Sequence, residues 1–175
     1  MHLKPRPDKP LDPISIRVIR AVKSVADELG IASFMVGATA RIILLEHVFG
    51  LPPSRATRDI DFAFAVESWE QFQALKQRLV STASFTQLER VAQRLKFKSE
   101  GMNHSFVVDL IPFGGLETEA NTIAWPPDMS VIMNVAGYRD AHVAAVLVEI
   151  EPGLIISLAS LPSIAILKIF AWIDR

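Results

Sequence analysis

Residues 59–66 read DIDFAFAV, and this stretch restricts the fold more than any other. Ile60, Phe62, Phe64 and Val66 alternate with Asp59, Asp61, Ala63 and Ala65, the two-residue period of a β-strand with one face in a core. The opposite face then carries two carboxylates about 7 Å apart along the strand. Such a pair repels itself, and burial penalises each charge unless something compensates it. A wet strand face, pairing with Arg55 and Arg58, or a bound divalent cation would each resolve the conflict. For an isolated D-x-D the first two are the default, so the surrounding chain has to decide.

With 175 residues, half of them apolar and 21% charged, the chain is long enough for one domain with a sizeable core. The net charge of -1 gives no global basic field that would point to nucleic acid. There are no cysteines, and His2, His47, His104 and His142 lack the paired spacing of a zinc site, so a metal here would be a hard cation held by carboxylates. Residues 1–13 contain prolines at 5, 7, 10 and 13 and no apolar core; they read as an extended arm and not a signal peptide. The longest uncharged run, 152–167, is shorter than the roughly 20 residues that span a bilayer. A soluble, cytoplasmic protein without a membrane partner is expected.

The spacing of Val18, Ile19, Val22, Val25, Ala26 and Leu29 predicts a helix over 14–29 closed by Gly30. SFMVG at 33–37 reads as a buried strand ending at a glycine, and 38–50 as a helix stopped by Gly50 and Pro52-Pro53. Ser68 is placed to cap a helix with Trp69, Phe72, Leu75 and Leu79 on one face. RLKFKS (94–99) and SFVVDLIPF (105–113) flank EGMNH, a hairpin turn around Gly101. VAAVLVEI and LIISLA flank EPG as a second hairpin, and 161–175 begins a helix still running at the chain end. Residues 114–142 carry no clear pattern beyond a loop at Pro126-Pro127. This order predicts an α/β (α+β) domain with a mixed sheet flanked by helices.

Two features bear on the acids. Asp109 stands alone in an apolar strand, on one face with Val107 and Ile111. If that strand lies beside 59–66, Asp109 completes a three-carboxylate cluster. Upstream, Gly37-Ala38-Thr39 lies between a strand and a helix start, where free N–H groups and the helix dipole favour a phosphate.

GATAR (37–41), RDIDF (58–62) and VVDLIP (107–112) together resemble the nucleotidyltransferase superfamily shared by DNA polymerase beta and kanamycin nucleotidyltransferase. More closely, the chain resembles the AbiEii type, nucleotidyltransferase toxins of type IV toxin–antitoxin systems. That group's helical K-L-x-A-x-x-x-R motif is matched by Lys168, Ala171 and Arg175, with Ile169 in place of leucine. Ala38 departs from the usual second Gly or Ser, and the R/K-D-x-x-D-L segment that follows in the family is absent. The reading is therefore of a truncated or natural short form: an arm at 1–13, a nucleotidyltransferase domain at 14–160, and the start of a C-terminal helical part at 161–175.

The resemblance implies transfer of a nucleoside monophosphate from an NTP to a hydroxyl on RNA, tRNA or protein. Asp59, Asp61 and Asp109 would act as catalytic and metal-binding residues for two Mg²⁺ ions. Gly37, Ala38, Thr39, Arg41 and Lys168 would bind the nucleotide phosphates, and a cognate antitoxin would be a partner. The alternative is a catalytically impaired nucleotide- or partner-binding module of the same fold. Thr39 could equally bond backbone, and Arg58 could pair with a nearby acid.

Overall fold

The structure is a computed structural model that describes residues 2–53, 57, 59–88, 91–98 and 105–174. Arg55, Arg58, His104, Arg175 and the expected turn around Gly101 lie outside the described residues.

Helix α1 (Pro13–Glu28) starts where Asp12 accepts the Ser15 N–H, and Val18, Ile19, Val22, Val25 and Ala26 are its buried face. Gly30 follows with φ +65, the left-handed conformation that ends helices without a Cβ penalty. Strand β1 (Ser33–Val36) runs directly into α2 (Gly37–Ile42), which continues as a π-helical turn over Ile43–Val48. Strand β2 (Asp59–Val66) buries Ile60, Phe62, Phe64 and Val66, the apolar set expected from the alternation. Ser68 caps α3 (Trp69–Ser81) by accepting the Gln71 N–H, and Phe72, Leu75 and Leu79 face the core. Lys76 is buried with them; its ammonium donates to the Ala92 carbonyl at 2.6 Å, and burial pulls its pKa down.

Strands β3 (Phe85–Gln87), β4 (Arg94–Phe97) and β5 (Phe106–Gly114) follow. The segment without a readable pattern resolves into β6 (Thr122–Trp125), β7 (Val131–Asn134) and helix α4 (Tyr138–Val143). Its strands are four residues each and its helix six, too short for periodicity to show. Strands β8 (Val146–Glu151) and β9 (Leu154–Leu158) form the second expected hairpin, so the helical Val143 lies outside it. Ser160 caps α5 (Leu161–Ile173).

Seven strands form one mixed sheet in the order β3-β4-β5-β2-β1-β9-β8, and β6-β7 is a separate ribbon. At its centre β2 pairs β5 in parallel and β1 antiparallel. This is the architecture the motif order implied. The amino-terminal residues run along the far edge, where the Leu3 N–H bonds the Leu147 carbonyl at 3.0 Å and Leu11 is buried. Among the described residues, no helix is long and apolar enough to cross a membrane.

Candidate active site

Strand register sets the site. Asp61 lies directly across from Asp109 on β5 and from Val36 on β1. Asp59 lies across from Val107, so all three acids project from one face of adjacent strands, because paired residues share a face. Asp59 is exposed, whereas Asp61 and Asp109 are half-buried.

The burden of that arrangement falls on Asp61. Burial, then the Asp109 and Asp59 charges, raise its pKa from 3.8 to about 6, against an opposing pull from Arg94. Asp109 is clasped by Arg94, whose Nε and Nη2 donate to its two oxygens at 2.7 and 2.8 Å. Arg94 faces Asp109 in the β4–β5 register, and this bidentate geometry is the strongest ordinary carboxylate contact. Among the described residues, no three His, Cys, Asp or Glu side chains converge into a ready-made metal cage. The expected three-carboxylate set is thus aligned on one face while its third member is engaged by a guanidinium. The donor set nevertheless fits a hard divalent cation, being all-oxygen and holding Asp61 beside two further carboxylates that Arg94 only partly offsets.

Gly37 has φ +70, and a Cβ there would collide with Asp61 Oδ2 and stand 3.0 Å from its Cγ. Gly37 is one of the residues expected to bind phosphate; in the structure the Asp61 carboxylate occupies the space its side chain would take. The Thr39 hydroxyl donates to the Asp59 carbonyl at 2.7 Å, so it ties α2 to the start of β2. Gly37, Ala38, Arg41, Asp61 and Lys168 meet around a cleft of ≈ 530 Å³, closed on its apolar side by residues of β5, α4 and α5. The expected phosphate-contacting residues therefore converge on one side of Asp61, except Thr39, which does not line this cleft.

Two residues of this site had no sequence assignment. Arg94 could be placed only with the hairpin register in hand. Tyr138 lines the cleft, and burial, followed by the Asp61 charge, pushes its phenol up to about 12. It is a neutral hydrogen-bond donor wherever Asp61 is ionised.

Residues 21–175 match the family model described as the nucleotidyl transferase AbiEii toxin of type IV toxin–antitoxin systems. The chain belongs to this family. Among curated proteins no relative matches. Among solved structures, the AbiEii-family chain is similar to antibiotic-resistance factor ANT(2'')-Ia in solution. Identity is 16% and the TM-score 0.42, covering 71% of this chain and 64% of that one. It is also similar to ANT(2'')-Ia in complex with adenylyl-2''-tobramycin, at 16% identity and TM-score 0.42, over 75% of this chain and 76% of that one. The Thermotoga maritima CCA-adding enzyme complexed with tRNA is matched at 16% identity and TM-score 0.37, over 58% of this chain and 22% of that one. The chain thus spans less than two thirds of the length of the first of these structures.

The Asp61 environment gives a pH signature. Its folded pKa lies above the ordinary carboxylate value, so the folded state takes up a proton first as pH falls. This penalty on the metal-free fold is full at pH 7 and relieved between about pH 6 and 4. Lowering pH from 7 to 5 should stabilise the fold by about 1 kcal/mol through this group. Exposed carboxylates with lowered pKa values, such as Glu28 beside Arg78, work in the opposite sense. The measurement is therefore the difference in thermal midpoint between wild type and Asp61→Asn at each pH. A difference that does not shrink on acidification contradicts the assignment.

Proposed function

We propose that the chain is a Mg²⁺-dependent nucleotidyltransferase that moves a nucleoside monophosphate from an NTP to a hydroxyl acceptor. The observation that carries this is the Asp61–Asp109 register beside a cleft lined by Gly37, Arg41 and Lys168. Asp59, Asp61 and Asp109 would hold the metal, which when bound would supply charge neutralisation and lower the acceptor hydroxyl's pKa.

The chain's own residues account for the rest. Lys168 and Arg41, which both line the cleft, neutralise the triphosphate, and Ala38 keeps the start of α2 small beside it. The apolar wall at Ile111, Ile164 and Leu167 excludes water from one side of the nucleotide. Tyr138 donates a hydrogen bond without competing as a base. The bond between the α-phosphorus and its bridging oxygen breaks, pyrophosphate leaves, and the acceptor oxygen bonds to phosphorus. Asp109, across the sheet from Asp61, takes the acceptor's proton. The family's type IV toxin–antitoxin description supports an antitoxin as a further partner.

The Arg94 clasp on Asp109 favours one second reading, a module that binds nucleotide without turnover. Calorimetric titration with each NTP tests what the two readings share. Binding should require Mg²⁺ and weaken at least tenfold in Lys168→Ala. Nucleotide binding that ignores both Mg²⁺ and Lys168 would rule out this use of the cleft.

A further inference from the structure

The face of β4 that carries Arg94 also carries Lys96, and Lys98 continues the alternation just past the strand end. Leu95 and Phe97, between them, are buried in the core. All three outward positions are therefore cationic in a chain whose net charge is -1. Lysines commonly protect sheet edges from unwanted pairing, but β4 is not an edge: β3 pairs it on one side and β5 on the other. Lys96 and Lys98 are exposed and make no ion pair among the described residues. Arg94 is accounted for by its pair with Asp109, but edge protection and local charge pairing leave Lys96 and Lys98 unexplained.

Its position relative to the acids is fixed by register. Asp61, Asp109 and Arg94 lie in one row across β2, β5 and β4, and Asp59, Val107 and Lys96 lie in the next. The cations therefore start at Asp109 and run away from it along the acid-bearing face of the sheet. Alternate strand side chains are about 7 Å apart, close to the phosphate spacing of an extended nucleic-acid strand. A cationic track of this kind holds a backbone without reading its sequence.

We propose that Lys96 and Lys98, leading away from the Arg94–Asp109 pair, form the docking surface for a single-stranded RNA acceptor, whose phosphates follow β4 and whose terminal hydroxyl reaches Asp109. This deepens the transferase reading and rests on it for the meaning of the Asp109 end. An acidic protein segment would also be attracted to three cations, but the regular spacing favours a regularly charged polyanion.

The test is fluorescence anisotropy of a labelled oligouridylate of about twelve nucleotides, measured across a salt series. The proteins are wild type, K96E/K98E, and a control, K4E/K23E, with the same charge change. In the control, Lys4 pairs with Glu149 on the opposite edge strand and Lys23 with Asp27 on α1. K96E/K98E should bind at least tenfold more weakly, with its log–log salt slope reduced by about 1.4. The control should lose no more than about threefold. Equal losses in the two variants, or unchanged affinity in K96E/K98E, would overturn the track. Wild type that binds Mg²⁺–NTP but not the oligonucleotide would overturn it in favour of a protein or small-molecule acceptor. Specific loss of RNA binding in K96E/K98E, in a protein that fails to bind Mg²⁺–NTP, would support the track and defeat the transferase reading.

Discussion

Asp61→Asn is expected to make the metal-free protein more stable while abolishing nucleotidyl transfer. The carboxylate is held near Asp109 and Asp59, and burial is the largest cause of its pKa rising to about 6. Asparagine keeps the shape and removes the charge, so the buried repulsion disappears. The expected gain is about 1–2 kcal/mol at pH 7, or roughly 3–6 °C in thermal midpoint for a domain of this size. The same change removes a hard oxygen anion from the proposed cation site and should lower transfer by about a thousandfold or more. Strain concentrated at a functional residue has this two-sided outcome, whereas a purely structural acid would lose stability on replacement. Thermal unfolding with and without Mg²⁺ reads both sides: Mg²⁺ should stabilise wild type and leave the variant unmoved.

Gly37→Ala is expected to be among the most damaging small substitutions in the chain. Two separate effects add. The φ of +70 disfavours any L side chain by about 1–2 kcal/mol. The new methyl would also meet the Asp61 carboxylate, which cannot retreat easily because β2 is paired with β1 at Val36 and with β5 at Asp109. A total loss of about 2–4 kcal/mol is expected. Gly153 separates the contributions: its φ is +78 and nothing lies within 4 Å of an added Cβ, so Gly153→Ala should show only the backbone part. Denaturant midpoints for the two variants should therefore differ by more than 1 kcal/mol. In an Asp61→Ala background the extra cost at Gly37 should vanish, because the clashing carboxylate is gone. Equal costs at the two glycines would show that Gly37 does not meet Asp61.

Much of this was legible in the sequence because β2 alternates strictly. Ile60, Phe62, Phe64 and Val66 are buried and Asp59 and Asp61 share the other face, as a period of two requires. The cap at Ser68 and the hairpin across 152–153 also follow from local chemistry. Residues 114–142 were unreadable because their elements span four to six residues, at most two periods of a strand or helix and too few for a repeat to stand out. Tyr138 was lost with them.

Arg94 was missed for a different reason. The turn could be located only within EGMNH, and a shift of one residue in the β4–β5 pairing would move Arg94 off Asp109 and to the other face. The observed register sets Arg94 opposite Asp109 and Phe97 opposite Phe106, which long-range packing decides and local propensity does not. For Gly37, the glycine was legible and its neighbour was not: the nearest group is a carboxylate brought by a strand 24 positions later. Membership of the AbiEii family rests on the match over 21–175, and the motifs at 37–41, 58–62 and 107–112 lie within it.

The most direct test of the central claim is transfer of label from α-labelled NTPs to cellular RNA or protein by the full chain in Mg²⁺. Label should appear in a macromolecule with wild type, depend on the divalent cation, and disappear with Asp61→Asn although that variant is folded and more heat-stable. Transfer that continues undiminished in Asp61→Asn would contradict the account.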